Sequence, residues 1–304
     1  MTEVRDDIPE KLINVEGLFE SKNPRLLKVI PRWVFSYIKK IIHQDAINGY
    51  IYRNRDKVGL PFVEAILKEF GVTINTVIPG AVGAEQQYGP AGCKTGPGQQ
   101  HSGLQEMLLN HRLIIAANHP LGGLDGLALM NQIGMARPDI VFPVNDLLML
   151  VPGLKPLFIP INKHGKNTEN TRIIDETFAG DKVILYFPAG LVSRKFKGGV
   201  IRDLEWKSTF IKKAKKYHRD ILPVYISGRN SDWFYNLSNW RKKLGIKANI
   251  EMLYLADEMM KQSGHTITII IGDLIPWEYL DKSKNDLQWA EFVRQKAYSL
   301  NNKK

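Results

Sequence analysis

From residue 111 onward, short apolar runs alternate with stretches of helical periodicity. Residues 112–117, 140–144, 157–161, 182–187, 221–227 and 266–271 have the length and continuous apolar character of buried strands. Residues 125–136, 168–179, 206–217, 232–244, 250–262 and 286–301 repeat apolar positions at helical spacing. This alternation predicts an α/β domain over 111–304, with a mainly parallel sheet flanked by helices. Upstream, residues 61–70 predict a helix and 72–78 a strand. Residues 79–110 begin with a Gly- and Pro-rich stretch of almost no periodicity, the pattern of a long loop or insertion.

Residues 1–78 form an N-terminal helical region with an amphipathic segment at 24–44. There, Leu26, Leu27, Ile30, Val34, Phe35, Ile38, Ile41 and Ile42 recur at helical spacing, with Lys28, Arg32, Lys39 and Lys40 between them. Trp33 and Tyr37 add amphipathic rings, and Pro31 divides the segment into two short helices. Two readings fit this pattern: a helix lying in an anionic lipid interface, or a helix packed on its own domain.

Composition narrows the class. The 304 residues are 44% apolar, enough for a sizeable core. Lys and Arg number 42 against 31 acidic residues, a formal charge of +11 that favours anionic lipid, phosphate-bearing substrates, an acidic carrier protein or nucleic acid. The single cysteine, Cys93, excludes an intrachain disulfide framework and suits a reducing compartment. The start shows no signal-peptide pattern, and no run approaches the roughly 18 apolar residues of a membrane span. The expectation is a peripheral protein at the cytoplasmic face of the inner membrane.

Chemistry concentrates at strand ends. Asn118-His119-Pro120-Leu121-Gly122-Gly123-Leu124-Asp125 follows the apolar run 113–117 directly. A His and an Asp at the carboxyl end of a strand suit a general base and the carboxylate that orients it. Six residues of α-helix rotate by about 600°, leaving the two side chains roughly 120° apart, so they meet only if the stretch between them departs from helix. Pro120, Gly122 and Gly123 supply that turn, with Asp125 expected as the N-cap of the next helix. Further on come Phe158 to Lys163 (a strand with the polar tip Asn162-Lys163) and Phe187-Pro188-Ala189-Gly190 with Ser193, Arg194, Lys195 and Lys197 beyond it. Last come Ile221 to Tyr225 and then Arg229. The basic helix 207–219 is either a solvated face or a docking surface for anionic lipid or carrier protein.

In this order the four stretches resemble the glycerolipid acyltransferase superfamily over roughly residues 110–230. The doubled glycine and the Phe-Pro-Ala-Gly variant are similar to a bacterial branch often labelled hemolysin-like, akin to O-acyltransferases of ornithine- and glycine-type aminolipids. The resemblance implies His119 as general base and Asp125 as its partner. It implies acceptor and donor contacts from Asn118, Gly122, Gly123, Asn162, Lys163, Phe187, Pro188, Gly190 and Ser193. Arg194, Lys195 and Arg229 are candidates for headgroup or carrier phosphate, and the amides of Gly122, Gly123 or Gly190 for the oxyanion. Five residues separate His119 from Asp125 where the family commonly has four, Ala189 replaces the usual Glu, and the usual Arg after the second strand is missing. These departures weigh against a phosphate-bearing acceptor more than against acyl transfer.

The implied function is transfer of a fatty acyl group from an acyl carrier protein or coenzyme A thioester to a lysolipid hydroxyl, with no metal or cofactor beyond that co-substrate. The acceptor would be a lyso-aminolipid or a lysophospholipid. The alternative is a basic membrane-surface or nucleic-acid binder without catalysis, although no zinc pattern, RNA-recognition motif or P-loop is present. The chain lacks the Gly-x-Ser-x-Gly elbow of a lipase and the HExxH pattern of a metal hydrolase.

Overall fold

Leu113 to Ala117 is apolar at every position, and all five residues are buried. They form a central strand in the computed structural model of the chain, which describes residues 13–22, 30–79, 86–88, 100–144, 148–160 and 168–303. The N-terminal elements are helices α1 (Val15–Lys22), α2 (Arg32–Ile41), α3 (Gln44–Arg53) and α4 (Leu60–Glu69), then strands β1 (Thr73–Val77) and β2 (Gln86–Tyr88). Next come α5 (Gln100–Asn110), β3 (Leu113–Ala117), α6 (Gly123–Ala136), β4 (Ile140–Val144), β5 (Phe158–Pro160), α7 (Thr168–Ala179) and β6 (Val183–Tyr186). The chain continues through β7 (Arg194–Lys195), β8 (Ile201–Arg202), α8 (Thr209–Tyr217), β9 (Asp220–Ile226), α9 (Asp232–Lys243), α10 (Leu255–Lys261), β10 (Thr266–Ile271) and α11 (Asp286–Ser299).

The main sheet has eight strands in the order β2-β1-β10-β9-β3-β6-β4-β5. Its pairings are parallel except β1 with β2 and β9 with β10. A parallel sheet must be covered on both faces, and β3 shows how this one is. Leu113, Ile115 and Ala117 face a layer built with α4 and α6, while Ile114 and Ala116 face Trp206, α8 and α11.

Three expectations change. β1 pairs with β10, and the Leu60 side chain of α4 packs tightly against Gly134 of α6, so residues 60–77 belong to the α/β domain and position 78 is no boundary. The supposed loop 79–110 ends in helix α5, which buries Leu108; Arg137 donates to the carbonyls of Leu108 and His111 just beyond. Helix α8 starts at Thr209 rather than 206, because the Trp206 indole donates to Asp203 and the Lys207 amide to the Pro188 carbonyl. The strand spans expected from the apolar runs agree with β3, β4, β5, β6, β9 and β10 to within two residues.

The amphipathic segment is largely spent on internal packing over residues 32–41. Phe35 and Ile38 of α2 are buried with Val15 of α1, and Phe19 meets Phe35 edge-on at 5.4 Å. Trp33, 71% exposed, points the other way. Residues 24–29 lie outside the described residues. Among the described residues no helix is long and apolar enough to cross a membrane.

Candidate active site

β3 delivers His119 to the carboxyl edge of the sheet, and its parallel neighbour β6 delivers Phe187 beside it, with Ala116 in register with Tyr186. The two rings stack at 4.1 Å. Gly122 then turns the chain at φ 86°, ψ −115°, a conformation open to glycine, and α6 begins at Gly123. Asp125 is therefore the third residue of α6, not its N-cap. That position returns its carboxylate to His119: Nδ1 lies 3.0 Å from Oδ2 and 3.1 Å from Oδ1.

Asp125 is 0% exposed, and backbone donors surround it. Its Oδ2 accepts from the amides of Leu121 at 2.8 Å and Gly122 at 3.3 Å, and its Oδ1 from Gly126 at 2.8 Å. The α6 N-terminus adds favourable dipole charge. An ionised carboxylate only accepts, so this contact favours the tautomer with the proton on Nδ1, which leaves Nε2 with a free lone pair. The His119 side chain is 18% exposed, enough to meet substrate.

A second carboxylate braces this pair. Asp203 is fully buried and accepts from the Ser193 hydroxyl at 2.6 Å, the Trp206 indole at 2.9 Å and the His119 amide at 3.2 Å. Ser193 also donates its amide to the His119 carbonyl at 2.8 Å. Burial alone would lower the imidazole pKa of His119; Asp125, by charge and hydrogen bond, and Asp203, by charge, bring it above its ordinary value. Burial raises the Asp203 carboxyl pKa against the pull of those hydrogen bonds.

Several expected contacts have other tasks. Asn118 is buried and ties β3 to β9, donating to the Ile226 carbonyl at 2.9 Å and accepting its amide at 2.6 Å. The amides of Gly122 and Gly190 are committed to Asp125 and to the Phe187 carbonyl, which removes both from the oxyanion role. Gly123 is the first helical residue, so its N–H has no acceptor within the helix. Ser193 is buried as a strut. Arg194 is buried and paired with Glu251 at 2.9 Å, so it is not free for a phosphate. Lys195 and Arg229 share the exposed carboxylate of Asp232, at 2.8 and 2.7 Å. Pro188 is buried and anchors Lys207 through its carbonyl. Asn162, Lys163 and Cys93 lie outside the described residues.

Lys207 had no sequence signal. Its ammonium lies over the 187–190 turn, 3.3 Å from where a Cβ on Gly190 would sit. Leu255 and Met259, from the start and middle of α10, close over Gly122 and Gly123. Gly228 packs against Leu121 so tightly that a Cβ there would fall 2.8 Å from that side chain.

A histidine held by a buried carboxylate at the carboxyl edge of a parallel sheet has the geometry that general-base chemistry on a hydroxyl requires. The chain belongs to the acyltransferase family, which it matches over residues 91–304. It is 42% identical over 291 residues, 95% of its length, to the lyso-glycine lipid O-acyltransferase of Phocaeicola vulgatus, covering 95% of that protein. The protein of the same name from Bacteroides thetaiotaomicron is likewise 42% identical over 95% of this chain and 97% of its own length. Among solved structures, the 1-acyl-sn-glycerophosphate acyltransferase PlsC of Thermotoga maritima aligns with 12% identity and a TM-score of 0.43, covering 88% of this chain and 94% of that one.

Proposed function

We propose that this acyltransferase esterifies the hydroxyl of a lyso-glycine lipid with an acyl group from a carrier-protein or coenzyme A thioester. The observation that carries the mechanism is the 3.0 Å contact between His119 Nδ1 and the buried Asp125 carboxylate. Nε2 takes the proton from the acceptor hydroxyl as its oxygen attacks the thioester carbonyl. The tetrahedral oxyanion is met by the Gly123 N–H. The C–S bond then breaks, the proton passes from His119 to the departing sulfur, and ester and thiol leave. A thioester is already activated, so no covalent enzyme intermediate is needed.

Support for the acceptor class comes from the two relatives and from charge. A glycine headgroup carries a carboxylate. Ala189, where the family commonly has Glu, removes a like charge, and the Lys207 ammonium stands over the adjacent Gly190. The test is acyl transfer by the purified full chain, followed by mass spectrometry of the ester product. Lyso-glycine lipid should be acylated well ahead of lysophosphatidate, and His119→Ala should abolish transfer while the thermal melt stays cooperative. An unchanged rate in that variant, or preference for lysophosphatidate, overturns the assignment.

A further inference from the structure

Helix α9 carries aromatic side chains both on its buried side and on its exposed side. Phe234 and Tyr235 are buried against Val192, next to the strut Ser193. Trp233 and Trp240 project outward, the latter 51% exposed, and meet edge-on at 6.0 Å. Trp233 continues to Tyr254 at 6.2 Å, and the Tyr254 hydroxyl bonds that of Tyr37 on α2 at 2.6 Å. The next residue, Leu255, covers Gly122. A continuous aromatic ridge therefore runs from the N-terminal helices to the rim of the His119 site.

Beyond Trp240 residues 242–249 are all exposed: Lys242 and Lys243 end helix α9, and a loop follows over 244–249. Leu244, 74% exposed, caps the helix and opens the loop, with Ile246 nearby. Lys242, Lys243 and Lys247 flank these apolar side chains, and no acidic residue lies between Asp232 and Glu251. The base of the loop is locked. Arg241 at one end and Glu251 at the other are buried and paired at 2.5 Å, and Glu251 also holds Arg194, the neighbour of Ser193. Helix α8 carries more lysines, but Lys213 and Lys216 pair with Asp175 and Lys215 with Asp286.

We propose that Trp233, Trp240 and the 242–249 segment form a docking surface for an anionic lipid bilayer, which seats the His119 site against the membrane. Indole rings favour the headgroup region, Leu244 and Ile246 reach the acyl boundary, and the three lysines complement anionic headgroups. Leu244 and Ile246 among the lysines favour a bilayer over a partner recognised through its acidic surface alone. This surface differs from the amphipathic stripe of α2, whose apolar side is covered by α1. The inference rests on a lipid acceptor but not on the catalytic assignment.

The test is cosedimentation of the full chain with phosphatidylglycerol–phosphatidylcholine vesicles, for the wild type, Trp233→Ala/Trp240→Ala and Lys242→Glu/Lys243→Glu/Lys247→Glu. The affinity should fall by about fivefold or more for each lysine lost, and binding by wild type should weaken with salt. The tryptophan pair should cost at least about tenfold and abolish the vesicle-induced blue shift of fluorescence. His119→Ala should bind vesicles like wild type, which separates this result from any failure of the catalytic reading. Wild-type vesicle affinity in both surface variants overturns the proposal. So does a rise in KM for carrier-protein thioester, with vesicle binding unchanged, since that outcome assigns the lysines to the carrier protein.

Discussion

Asp125→Asn is the most informative single change to this site. Both oxygens of the carboxylate face a backbone donor at 2.8 Å: Leu121 N–H on Oδ2 and Gly126 N–H on Oδ1. Whichever oxygen becomes an amide NH2 leaves one of those donors unpaired in a fully buried setting, at a cost of about 1–3 kcal/mol in unfolding free energy. The catalytic loss should be larger. A positioned base contributes about 10²- to 10⁴-fold, or roughly 3–5 kcal/mol, and it works only when Nδ1 holds the proton. The pH profile gives a second, independent reading. His119 must be neutral to act, so wild-type activity should rise with pH through a pKa above the ordinary 6.5. Without the Asp125 charge, burial dominates, and the acid limb should move to lower pH while the plateau falls. The assay is thiol release from an acyl thioester in the presence of lysolipid, across pH, beside urea unfolding of the same protein. An acid limb that stays put or moves upward would refute the assigned role, even if the rate falls.

Other expectations can be checked separately. The raised His119 pKa means that folding favours the protonated form; this contribution is fully present below the unfolded value of 6.5 and is lost as pH rises through the folded value. The melting temperature of wild type relative to His119→Gln should therefore be most favourable below pH 6.5 and decline above it, whereas a difference that grows with pH contradicts the shift. Gly228→Ala should destabilise by about 1–3 kcal/mol in urea titrations, because φ there is 130° and the new methyl meets Leu121; adding Leu121→Ala should recover part of that loss, and strict additivity would show the clash to be absent. Lys207→Ala should raise KM for a carboxylate-bearing lysolipid about tenfold with little change in kcat, and an equal effect on an uncharged lysolipid would count against a headgroup contact.

The contact between His119 and Asp125 was legible because its signals are local. A continuous apolar run marks β3, and the glycines after it mark a break from helix, which Gly122 provides as it returns Asp125 to His119. Asp203 carried no such signal, since it meets the His119 amide across 84 residues of chain and no spacing rule links them. Arg194 was misread for the same reason: an arginine after a Pro-Gly turn reads as solvated until Glu251, 57 residues on, takes it into the interior. The domain boundary at 78 failed because β1 looks like an isolated strand next to helices, and its partner β10 lies near the other end of the sequence. The amphipathic pattern over 32–41 does not by itself say whether lipid or helix α1 covers its apolar side.

Strand β10 sits between β1 and β9, and this order has a consequence for how the chain assembles. The strands that carry the His119 site, β3, β4, β6 and β9, come from one continuous stretch of chain and can zip together over modest loops. Seating β1 requires closing a loop that spans most of the sequence, onto a β10 already docked antiparallel on β9. Loop-closure entropy is paid before that contact returns anything, so the β1–β10 pairing is expected to form after the β3–β9 half of the sheet. The active-site half of the sheet thus has a chance to form before the half that carries the N-terminal helices is sealed onto it.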